Sequence, residues 1–181
     1  IAPSTDMGGC PFSFALKAIA GGGAVFIASS VAHALLTHHH SDFRKLPNET
    51  EVFKALKGTP SGQYYVPHTT NPADKEWQQK AEVGPCGVLF LTAGSPHGNM
   101  GQTLTKSFVY NVAVTAVVAW ISHKAKPDDT FLFHAVVTTG FYCGGFGWDL
   151  VWNNHELLPT LKNILDATVY GLVTAAVLSR F

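Results

Sequence analysis

Long uncharged runs alternate with short charged ones along this chain. Between Lys17 and His38 lie 20 residues, AIAGGGAVFIASSVAHALLT, without Asp, Glu, Lys or Arg. A bilayer core about 30 Å thick takes about 20 such residues as helix. A secretory signal peptide is the alternative, but its apolar region is shorter and ends in a small-residue cleavage pattern that is missing here. A second run, Ser107–Ser122, is bounded by Lys106 and by His123-Lys124, with Trp120 as an interfacial anchor. A third, Thr130–Trp148, lies between Asp129 and Asp149, rich in Gly and Phe, with Trp148 and Trp152 at its far end. A fourth extends from Leu157 to Ser179 and contains Lys162 and Asp166, one helical turn apart and expected to pair.

The pattern predicts an all-α membrane protein, residues 1–181 forming one membrane domain. Its spans fall at about 17–37, 106–123, 130–150 and 157–180. The extramembrane insertion, 38–105, carries a short helix and a candidate β-hairpin. The helix is NETEVFKALK after Pro47, capped by Asn48 or Thr50 and stopped by Gly58 and Pro60. The strands are Gln63–Val66 and Val88–Leu91, separated by a polar stretch that includes ADKEWQQK. Four spans put both termini on one side (side A) and the insertion on the other (side B). Asp149 and Trp152 are expected at the side B interface, followed by a tight turn at 153–156, with Pro159 in the first turn of the last helix.

Composition sharpens this picture. Charged residues are 13% of the chain, against roughly 25% in soluble domains. Net charge is zero, so no basic excess is available for nucleic acid. Three cysteines, none in a Cys-x-x-Cys pair, make no disulfide framework, and Cys86 and Cys143 read as packing residues. Lys and Arg near the span ends divide evenly between the sides. Discounting the start of the long insertion favours side A, with both termini, in the cytoplasm. The sequence starts at Ile1 rather than Met, which fits a processed chain or a partial one.

Several segments together resemble an uncharacterised family of small bacterial four-span membrane proteins. They are HHHSDFRKLP, Ser61-Gly62-Gln63-Tyr64 with Pro67-His68, Gly84-Pro85-Cys86-Gly87, Asn99-Met100-Gly101 and LKNILDATVYGL. The resemblance implies the four-span topology and a bacterial inner (cell) membrane; the charge balance above then makes the insertion periplasmic. It implies no activity, cofactor or substrate. In that group the residue at His40 varies, which makes His40 the weakest candidate for a shared role.

Histidine is the candidate chemistry, with nine in the chain. His38, His39, His68 and His97, with Asp42 and Met100, could converge on side B around copper, zinc or iron. The alternative is histidines capping a helix C-terminus. On a continuous helix adjacent histidines diverge by about 100°, so His38, His39 and His40 could not share one ion. His33-x4-His38-His39 is similar to one histidine box of membrane di-iron enzymes, but no second box follows, so an enzyme is disfavoured. His33 and His134 could each hold a haem or pigment singly; their expected depths differ by roughly 15–20 Å, too far for one haem. Asp166, Tyr170 and Asn111 are intramembrane polar residues and functional candidates on that ground.

Three readings follow. The first is a non-catalytic accessory subunit of a larger membrane complex, respiratory or photosynthetic, because the spans are rich in small residues and no catalytic constellation is complete. Its partners would be the lipid bilayer and other membrane subunits. The second is a metal-binding or metal-dependent redox protein using the side B histidines. The third is a small transporter or channel, suggested by Asp166 and the glycines between Phe141 and Gly147.

Overall fold

The computed structural model describes residues 11–92, Gly94 and residues 99–181. The elements in order are α1 (Pro11–Ala34), α2 (Glu49–Leu56), β1 (Gly62–Val66), α3 (Lys75–Val83), β2 (Gly87–Leu91), α4 (Met100–Ala125), α5 (Thr130–Cys143), α6 (Phe146–Trp152) and α7 (Leu157–Leu178). The chain divides into two compact units, one of residues 1–42 with 101–181 and one of residues 43–100.

Three helices of the first unit are long and apolar enough to cross a membrane: Phe12–Ala34, Met100–Ala125 and Leu157–Leu178. α1, α4, α5 and α7 form an up-and-down bundle in which each helix has two antiparallel neighbours. Gly22 sets the α1–α4 contact: a Cβ there would lie 2.5 Å from the Val112 Cα, so only glycine lets the backbones meet. Four residues on, Phe26 meets Phe108 edge to face, with centroids 5.8 Å apart. α4 meets α5 where Tyr142 donates to Asn111 Oδ1 at 2.7 Å. α5 meets α7 at Gly171, which seats against the Ala135 carbonyl and the Thr139 hydroxyl. α7 meets α1 at the histidine end.

The bundle interior is made of small and polar side chains. Thr115, Thr138 and Thr174 are 0% exposed, beside Val25, Val118 and Ala175. Large apolar residues such as Ile19, Ile27, Leu132, Val136, Leu165 and Leu172 point outward. In water this distribution would be costly. In lipid it is favourable, because tight packing of small residues rather than burial of large ones holds helices together.

Several boundaries differ from the sequence expectation. The first helix, expected at 17–37, starts at Pro11 and ends at Ala34, so His38–His40 lie in a turn and not on a helix. Thr37 O accepts the His40 N–H at 3.0 Å and His39 O accepts that of Asp42 at 3.1 Å. α4 begins six residues before the expected 106. The third run is two helices. The break at Gly144-Gly145 is local, since both glycines keep right-handed helical dihedrals and Gly145 O accepts the Asp149 N–H at 3.0 Å. Pro159 sits in the first turn of α7 and the 153–156 turn precedes it, as expected.

In the second unit, β1 and β2 pair antiparallel with Gly62 opposite Leu91 and Val66 opposite Gly87. They do not form a tight hairpin, because α3 lies between them. α3 forms within the polar stretch that the sequence places between the strands. Asp74 caps it by accepting the Glu76 and Trp77 N–H groups, Lys80 pairs with Glu76 one turn on, and Gly84 ends it at φ 68°. Trp77 Nε1 donates to Pro67 O at 3.0 Å, tying the helix back to the end of β1.

Candidate metal centre

The turn after α1 folds back onto α7 and gathers five side chains from three segments. His33 comes from the last turn of α1, His38, His39 and Asp42 from the turn, and Asp166 from the third turn of α7. Asp166 is buried and takes histidines on both oxygens: His38 Nε2 lies 3.2 Å from Oδ1 and His39 Nε2 2.9 Å from Oδ2. His33 Nε2 is 3.7 Å from the same Oδ2, and the Tyr170 hydroxyl is 3.5 Å from that nitrogen. The His33 and His39 rings stack with centroids 4.6 Å apart.

A second layer fixes the first. His39 Nδ1 lies 2.5 Å from Asp42 Oδ2. Lys162 Nζ donates to Asp42 Oδ1 at 2.6 Å, to Ser41 Oγ at 2.9 Å and to His38 O at 2.5 Å. Lys162 therefore pairs with Asp42. The expected Lys162–Asp166 pair does not form, because the turn supplies Lys162 with three acceptors and Asp166 with two imidazoles. Asp42 is held below the usual carboxylate range, first by the Lys162 hydrogen bond and then by His39. Burial alone would lower the His39 value, but the hydrogen bonds and charges of Asp166 and Asp42 outweigh it and raise His39 above the ordinary histidine value.

One donor atom each from His33, His39 and Asp166 lies within 4.8 Å of the others, a separation that one metal ion can span. Donors around a zinc ion at about 2.0–2.2 Å stand roughly 3.3 Å apart. The 2.9 and 3.7 Å distances to Asp166 Oδ2 bracket that figure. Two imidazoles and one carboxylate suit zinc or iron(II), with coordination positions left open. His39 has the arrangement usual for ligating histidines, Nε2 in the three-donor group and Nδ1 on the Asp42 carboxylate.

Of the residues expected to bind metal, His38 and His39 are in this cluster. His38 contacts the second Asp166 oxygen rather than joining the three-donor group. His68 belongs to the other unit, and His97 lies outside the described residues. His40 is exposed. His33 and Asp166, expected as a haem ligand and an intramembrane acid, complete the donor set instead. Asn111 is buried and accepts from Tyr142, whose ring meets Tyr170 at 5.3 Å, so a polar ladder continues from the cluster into the bundle. His134 is buried near the opposite end, close to Leu178. From Asp166 to Leu178 is 12 residues of helix, roughly 18 Å. Asp42, expected as a possible metal ligand, instead braces His39 from behind, at the His39-x-x-Asp42 spacing.

No protein-family model, curated protein or solved structure matches this chain.

Proposed function

We propose that this is a bacterial inner-membrane protein of four spans that binds one divalent transition metal, of the zinc or iron(II) class, at His33, His39 and Asp166. The observation that carries the reading is the convergence of three donors with Asp42 and Lys162 braced behind His39. A metal there would take the place of the proton shared between His39 and Asp166, and the positions left open would accept water or a small ligand. α5 and α6 together supply the fourth span, since α5 alone, at 14 residues, covers only about 21 Å. Both termini are then cytoplasmic and residues 43–100 periplasmic. Protein purified without chelator and titrated with zinc or iron(II) should hold about one equivalent, and His39→Gln and Asp166→Asn should abolish it. Less than about 0.1 equivalent in the wild-type protein after metal-supplemented growth, with no uptake on titration, overturns the reading.

A second reading, an accessory subunit of a larger membrane complex, draws support from Gly140 and Gly144. They are one turn apart at the end of α5, both exposed, and no other helix's side chains or backbone approach them. Small residues at that spacing suit close approach of a further membrane helix. A native gel of a gentle detergent extract tests it, and a lone species at monomer mass counts against it.

A further inference from the structure

The bundle end opposite the histidine cluster holds a cavity of about 350 Å³. It lies among the start of α1, the end of α4, the α4–α5 turn, the first turns of α5 and the end of α7. Lys17, Lys126, His123 and His134 line it with the hydroxyls of Ser122 and Thr130, and no aspartate or glutamate side chain does. Lys17 bounds the uncharged run of α1 at this end, the level at which lipid headgroups begin when the run spans a bilayer. Neither Lys17 nor Lys126 has a carboxylate partner among the described residues. Asp129, close in sequence, accepts the Leu132 N–H at 2.8 Å and lines a separate recess. His134 is 7% exposed, and its Nδ1 is buried without a hydrogen-bond partner. The site therefore offers positive charge and hydroxyl donors around one space.

We propose that this cavity binds a phosphate group, carried by an anionic phospholipid headgroup or by a small phosphate from the adjoining water. The donors outnumber what one carboxylate could accept, and a tetrahedral oxyanion can receive them from several directions. Basic pockets between membrane helices take headgroups by the same chemistry. The inference is independent of the metal reading, because the two sites share no residue.

Delipidated protein in a neutral maltoside detergent is titrated with inorganic phosphate, short-chain phosphatidylglycerol and short-chain phosphatidylcholine, following the thermal midpoint. Phosphatidylglycerol should raise the midpoint saturably, with phosphatidylcholine much weaker. Lys17→Gln and Lys126→Gly should each weaken that binding about fivefold, the contribution of one lysine at an anionic surface. Lys126 has φ 47°, a left-handed conformation that glycine adopts freely, so Lys126→Gly removes the cation without straining the turn. A shift with inorganic phosphate alone assigns the ligand to the aqueous phase, and a shift with the lipid alone assigns it to the headgroup. No shift with either, equal shifts with both lipids, or unchanged affinity in both variants overturns the proposal.

Discussion

Replacing Lys162 with methionine keeps the aliphatic stem and removes three hydrogen bonds at once. Asp42 is left with His39 as its partner, and the His38 carbonyl and Ser41 hydroxyl lose their donor. Breaking a fully buried ion pair costs about 3–5 kcal/mol, and an exposed one about 0–1 kcal/mol. With the Lys162 side chain 17% exposed and Asp42 8%, the pair lies between these limits, and about 2 kcal/mol is expected. Most of that loss should appear in metal affinity, because Asp42 orients His39. Removing such an outer partner weakens metal binding by about 10–100-fold, equivalent to roughly 1.4–2.8 kcal/mol, so the two routes agree. The assay is competition for zinc against a chromophoric chelator, with Lys162→Met, Asp42→Asn and the double variant. The double-mutant cycle should give a coupling of about 1 kcal/mol or more. Affinity within twofold of wild type for Lys162→Met, or strict additivity in the double variant, would refute the chain of reasoning from Lys162 through Asp42 to His39.

Gly171→Val should cost about 1–3 kcal/mol by forcing α7 off the Ala135 carbonyl, read as earlier unfolding in dodecyl sulfate; unchanged unfolding would mean the helices do not meet there. Asp129→Ala should cost about 1 kcal/mol by uncapping α5, measured in the same unfolding series. Cysteines placed at Asn71 and Asn154 should react with an impermeant reagent from the same side, and labelling from opposite sides would remove α5–α6 as a span.

The uncharged runs made α1, α4 and α7 legible, because a membrane span needs length and apolarity more than any particular residue. Their ends were less so. Pro11 opens α1 well before Lys17, and the exit at Ala34 follows from the turn docking on α7, which no local signal announces. α3 is hard to read from the sequence because its apolar face is only Trp77 and Ala81. Its evidence was Asp74 at the cap and the Glu76–Lys80 pair, both weak against a run so polar. The candidate metal cluster is half visible in the sequence. The run of histidines singles out His38 and His39, whereas His33, read as a haem or pigment ligand, joins them only because the chain turns after Ala34. Asp166 looked spoken for by Lys162 at i,i+4, and only the folded turn reassigns both partners.

His39 and Asp166 stand 127 residues apart, and the acid belongs to α7. At about 5–20 residues per second, synthesis separates them by roughly 6–25 s. Through that interval His39 has Asp42 beside it but no Asp166, and α1 waits for α4 before Gly22 finds its neighbour. The donor set thus comes into being only once α7 packs against α1. A chain stalled before α7 would present the imidazoles without Asp166, so the three-donor group is a property of the folded bundle and of no shorter piece of it.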